Sequence, residues 1–483
     1  MVIGAINNYN YSIANTSYQN KNLKTQEVSG SSQDASIFAT KPITQTPQAH
    51  SLSRSIAFSG IFSSSPEIKD PEKNKKYEDL KTIADPETKH KLKNLLKSGR
   101  LLNANSNDGT STLDNLHKIA TTQRHEGLDN KVILRETVKE IENPFSITQK
   151  FGDIPKEVIQ PIVNFEKQLE GQKDAPPGIT TDPKDFNVEY SSTCPAASMQ
   201  FNIADKKPAE YARIAADLTS PDGQFIKKVK YTNISPSMSE SLELLKDFNV
   251  NVKKSPDNWE DLNVIVKPDK NAMLRAQIQN NHQDPGERSS VGSLMQSAFM
   301  TLGSQNAYNS LTDKRYGKFS TNNEGLTEFE KNFLESVMDD EPKVSIVYQN
   351  IDDDQKLQSY NFDNKETESH LLESLKSGSN VIIGIIEFDQ DKKVLGGHEI
   401  TVIGSKKDAK GNVNFICNDT DDNHSGPIVI SSKDLVPKIH HAGIPAKLVD
   451  IPKQPDTGYQ VLNDYKNYKK DEKQVGQNLS LTA

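Results

Sequence analysis

Two cysteines in 483 residues exclude a disulfide scaffold and any zinc site built on several thiolates. No run of about 18 apolar residues exists, so no membrane-spanning helix is expected. Lys and Arg number 58 against 66 Asp and Glu, a net charge of −8 spread along the chain. That leaves no basic domain of the kind that binds nucleic acid. Apolar residues are also scarce, at 34%. Counted with glycine and without tyrosine they reach about 36%, against the usual 45–50%. Part of the chain therefore lacks a core, while the remainder is long enough to bury one.

Several chemical signatures are missing as well. The stretch before Phe319 is no phosphate loop, because Thr312 stands where its first glycine belongs and Phe319 where its hydroxyl residue belongs. No Gly-x-Ser-x-Gly nucleophile elbow occurs. His398-Glu399 does not continue into a second histidine, and His424, His440 and His441, near Asp421 and Asp422, lack ligand-pair spacing. These read as solvated loop and helix-end residues, so neither a metal nor another cofactor is expected.

What is present divides the chain into four parts. Residues 1–69 read as disordered. Their first 65 positions carry only Lys21, Lys24, Glu27, Asp34, Lys41 and Arg54 as charges, and no hydrophobic period lasts. No signal-peptide pattern opens them. The expected location is cytoplasmic, or secreted without a classical signal peptide. Residues 70–171 read as a small helical domain. Asp85-Pro86 starts one helix and Gly99 ends it, and a helix near 154–169 is expected to break at Pro161. Residues 172–452 alternate helix and strand patterns. Helices are expected at 195–204, 208–218, 237–247, 288–303, 326–339, 364–377 and 432–441. Strands are expected at 225–232, 262–267, 343–349, 380–388, 398–404, 412–417, 427–430 and 446–451. The closely spaced later strands imply an antiparallel sheet after a helical half, an α+β fold. Residues 453–483 read as a polar disordered tail.

Three places carry chemistry. Cys194 lies between loop-like residues and a helix-forming run, with Pro195 suited to the first helical turn. A helix N-terminus favours thiolate, the nucleophilic form. His398 follows Gly396-Gly397 and begins a strand, with Ile400 and Val402 on its own face. A later strand ends in Cys417-Asn418-Asp419, placing an amide and a carboxylate at its mouth. Either oxygen would fix the histidine tautomer and turn the other ring nitrogen toward the thiol. Cys417 reads as buried and inert.

Cysteine before a helix, a much later Gly-His-x-aliphatic-Thr, then a strand closing in Asn-Asp, together resemble the papain-like cysteine peptidases. The pattern is most similar to that of the bacteriocin-processing (double-glycine) peptidases and their stand-alone relatives. The resemblance implies a papain-like domain over 172–452, enlarged by an insertion and preceded by the helical domain. It implies a triad of Cys194, His398 and either Asp419 or Asn418, with Asp419 preferred, and a protein or peptide substrate cleaved through a thioester. The family's oxyanion glutamine is replaced by Val188, which leaves Asn187 as the nearest amide for that role. An amide transferase, a deamidase, or a non-catalytic interaction protein or effector on the same scaffold fits the same residues. Oligomeric state is not legible.

Overall fold

The computed structural model describes residues 67–172, 180–188, 191–234, 250–251, 261–282, 286–304, 307–315, 325–352, 354–421 and 426–449. The expected helix at 237–247, the tail at 453–483, His424, and almost all of the region 1–69 lie outside them.

The first helices form where caps and apolar spacing agree. They are α1 (Pro71–Ile83), α2 (Pro86–Lys97), α3 (Thr112–Thr121), α4 (Asn130–Glu142) and α5 (Lys156–Leu169). Asp85 caps α2 by accepting the Thr88 N–H at 2.8 Å. Gly99 turns the chain after it at φ 75°, a left-handed value that suits glycine. Helix α5 runs through Pro161 rather than breaking there. Pro161 is exposed, so water can solvate the carbonyl that loses its intrahelical partner.

The second part opens with α6 (Cys194–Lys206) and α7 (Pro208–Leu218), then a small sheet of β1 (Phe225–Lys230), β2 (Val250–Asn251) and β3 (Asp261–Val266). Next come α8 (Ala272–His282), which the periodicity does not announce, and α9 (Ser290–Gly303), buried along its whole length. After the two-residue strands β4 (Tyr308–Asn309) and β5 (Lys314–Arg315) comes α10 (Glu328–Asp339).

A six-stranded antiparallel sheet completes the fold. Its strands are β6 (Lys343–Val347), β9 (Val381–Phe388), β10 (Val394–Lys407), β11 (Val413–Asn418), β12 (Ile428–Ser431) and β13 (Ile439–Pro445), in the order β12-β11-β10-β9-β13-β6. Between β6 and β9 lie the hairpin β7 (Gln349–Ile351) and β8 (Leu357–Tyr360), then helix α11 (Asn364–Lys376). The α+β class holds, with one local correction. The segment expected as helix 432–441 is a single turn, α12 (Ser432–Leu435), followed by a short 3-10 turn and strand β13, and the strand expected at 446–451 lies earlier, at 439–445. Pro437 interrupts the helical pattern, and the residues after it pair with β6 and β9, which buries Ile439, Ala442 and Ile444 in the sheet's core.

Alternation along the strands separates two cores. Ile382 and Ile403 face the helices, while Val381, Ile383, Ile385, Ile400 and Val402 pack with Leu371 of α11. The helical core is continuous from Leu80 of α1 through Phe201 of α6 and Ile214 of α7 to Phe299 of α9. The boundary expected at 171 therefore does not divide two cores. Within the described residues no helix is long and apolar enough to cross a membrane.

Candidate active site

Cys194 is the first residue of α6, fully buried, with Pro195 in the first turn and Thr193 at the cap position. His398 lies on β10, its side chain 21% exposed. The two side chains are hydrogen-bonded, and the Glu399 backbone N–H also donates to the Cys194 sulfur. On its other side the His398 Nε2–H donates to Asp419 Oδ1 at 2.7 Å, which leaves Nδ1 for the sulfur. The Asp421 N–H steadies the same carboxylate oxygen at 2.9 Å.

Burial alone would push the His398 imidazole down. The Asp419 charge and hydrogen bond outweigh it and hold the ring well above its ordinary range. Burial pushes the Cys194 thiol up, and His398 opposes that shift by stabilising the thiolate. The arrangement is thus a thiol beside a readily protonated imidazole, which a carboxylate holds in one tautomer.

Of the one amide and one acid considered for orienting the histidine, the strand pleat brings Asp419 to the ring. Asn418 pairs with Thr401 across the β10–β11 ladder and shares its face. One residue on, the chain turns to the face of Ile400 and His398. Asn418 is correspondingly buried away from the ring, and its Nδ2 has no hydrogen-bond partner among the described residues. Asn187 is not brought to the thiol either. Its Oδ1 accepts the Ile154 N–H at 2.8 Å and its Nδ2 reaches the Ile154 carbonyl at 3.4 Å, so this amide braces the entry to α5. Neither buried cysteine is in a disulfide, and burial pushes the Cys417 thiol well up. Its side chain belongs to the core beneath α11.

The residues that position this group were not legible as such. Arg288, just before α9, is buried and donates through Nη2 to Ser191 Oγ and Thr193 Oγ1, both at 2.8 Å, and to the Gln149 carbonyl at 2.6 Å. Its Nη1 pairs with Asp313 Oδ1 at 3.1 Å, and Asp313 accepts the Ser192 N–H at 3.1 Å. Asp313 itself holds a left-handed φ of 52°, a strained value for a non-glycine residue, with Tyr308 Oη donating to its carboxylate. The loop ahead of Cys194 is therefore clamped by a buried ion pair 94 and 119 residues away in sequence. The helical part contributes too. Gln149 N–H and Thr148 Oγ1 donate to the Thr420 carbonyl, both at 3.0 Å, and Thr420 Oγ1 donates to Gln149 Oε1 at 3.0 Å. These bonds hold the residue next to Asp419. Only isolated Arg, Asp and Gln residues mark these roles in sequence, which is no usable signal.

His440 and His441 also need correction. They are strand residues on β13, each only 3% exposed, and not solvated loop or helix-end residues. Comparison with known proteins gives no match, whether with family models, curated proteins or solved structures.

Proposed function

We propose that the chain hydrolyses a peptide or amide bond by a cysteine-dependent, papain-like mechanism. The observation that carries this reading is the continuous hydrogen-bonded series Cys194–His398–Asp419, contributed by a helix start, a strand and the end of the next strand. The order and placement of these three residues also underlie the resemblance to papain-like peptidases.

The Cys194 thiolate adds to the substrate carbonyl carbon, forming a C–S bond while the carbonyl electrons move to oxygen. The backbone N–H of Cys194 at the helix start is suited to receive that oxyanion. Collapse of the adduct breaks the C–N bond, and His398 gives its proton to the leaving amine. Water, deprotonated by His398, then cleaves the thioester and returns the thiol. Asp419 keeps the ring oriented and stabilises its protonated form throughout. The substrate on this reading is a protein or peptide.

A panel of peptide and protein substrates, with Cys194→Ala as the control, tests the reading. Hydrolysis and labelling by a thiol-directed probe are expected in the full-length chain and lost in the variant. Labelling of Cys417 alone, or of neither cysteine near neutral pH, would overturn it.

A further inference from the structure

Behind the catalytic strand, on the helix side of the sheet, three buried side chains from two elements converge. His440 Nδ1 and His441 Nδ1 lie 2.9 Å apart, and Glu328 Oε1, on the first residue of α10, lies 3.5 Å from the former and 3.8 Å from the latter. The point equidistant from these three atoms is about 2.0 Å from each, the length of a zinc–imidazole or zinc–carboxylate bond.

Three features of the fold produce this convergence. Adjacent strand residues normally face opposite ways, but the β13–β9 ladder shifts register between Ile439 and His441, which brings both rings to one side. His441 crosses β9 above Gly384, where a Cβ would lie 2.1 Å from the ring, so only glycine admits it. Beyond Gly384 the ring reaches its cross-strand neighbour, and His441 Nε2–H donates to Glu399 Oε1 at 2.9 Å. That bond leaves His441 Nδ1 as an acceptor, able to take the His440 Nδ1–H at 2.9 Å or to ligate a cation. A carboxylate behind a histidine is the usual support for a metal-binding imidazole. Glu399 also balances the nearby Lys331 ammonium through Oε2, at 3.1 Å. Independently, Glu328 Oε2 is buried with no hydrogen-bond partner among the described residues, although the residue is only 2% exposed. A buried carboxylate left so poorly satisfied is costly unless a proton or a cation takes up its charge.

We infer that Glu328, His440 and His441 form a binding site for a divalent first-row transition ion of the zinc class, supported by Glu399. Two nitrogens and one oxygen at this spacing suit zinc and leave a fourth position open. The ion would tie the start of α10 to the sheet. Glu399 links it to the reacting group, since its backbone N–H meets the Cys194 sulfur. The inference stands apart from the proposed hydrolysis, because none of the three ligands belongs to the Cys194–His398–Asp419 series.

The test uses full-length chain carrying Cys194→Ala, so that the catalytic thiol is no competing ligand. After expression with added Zn2+ and gel filtration, elemental analysis is expected to find one zinc per chain. The ion should be lost in Glu328→Gln and in the His440→Ala/His441→Ala double variant, and affinity should fall about 10- to 100-fold in Glu399→Gln. Cobalt exchanged into the site should give visible ligand-field bands without a thiolate charge-transfer band. Stripping the zinc should lower Tm by about 2 °C or more, a reading that needs no variant to fold. Zinc far below one per chain, zinc kept by the double variant, or a thiolate band would each overturn the inference.

Discussion

Replacing Asp419 by alanine removes the acceptor of the 2.7 Å bond from His398 while leaving the strand ladder intact, since Asp419 lies one residue beyond β11. A hydrogen bond to a charged group contributes about 1.5–3 kcal/mol. At about 1.4 kcal/mol per unit this is a drop of about one to two units in the His398 titration midpoint. The thiolate–imidazolium pair weakens by the same factor, so alkylation of Cys194 at pH 7 should slow about 10- to 100-fold. Stability carries a second signature. The native His398 pKa is raised above its unfolded value of about 6.5. The stability this supplies is fully present below pH 6.5 and lost as pH rises through the native pKa. Asp419→Ala should therefore cost about 1.5–3 kcal/mol near pH 6 and progressively less at alkaline pH. The assays are iodoacetamide alkylation followed by peptide mass analysis, and urea unfolding across pH. An alkylation rate within twofold of the parent, or a destabilisation that grows with pH, would refute the reasoning.

Arg288→Ala should cost about 3–5 kcal/mol in urea unfolding, because it strands the buried Asp313 carboxylate and frees the loop before Cys194. Gly384→Ala should cost about 1–3 kcal/mol by the same measure, since its Cβ would meet the His441 ring, and normal stability would mean that the ring lies elsewhere. Burial, with help from Glu140, raises Glu136 to about 7. An acid raised in the folded state costs stability as pH climbs from its unfolded value near 4.5 through 7, so Glu136→Gln should stabilise the chain at pH 8 and not at pH 4. Glu136 lines a cavity that water can reach, which limits the gain to about 1–2 kcal/mol; equal Tm shifts at both pH values would contradict the assignment.

Much of the fold was legible because its signals are local. Asp85-Pro86 and Gly99 bound α2, and Cys194-Pro195 open α6. The alternation around His398 marks β10, although that strand begins earlier, at Val394. The misses are places where neighbours overrule local pattern. Ile439–Pro445 pairs as a strand despite its helical context, and α5 continues through Pro161 because that residue faces water.

For the candidate site, sequence by itself determined the chemistry available: one thiol at a helix start, one histidine on a strand, and an amide and an acid at the mouth of the next. Which acid or amide meets the ring depended on register, since Thr401 pairs with Asn418 and so turns Asp419 toward His398. The clamp of Arg288 and Asp313 on residues 191–193, and the meeting of Glu328 with His440 and His441, exist only once distant elements pack. The physical reason is one of range. Caps, turns and pleats act over a few residues and are written in the residues themselves. Partnerships between buried polar groups are set by helix-on-sheet packing and strand register, and no spacing along the chain encodes them.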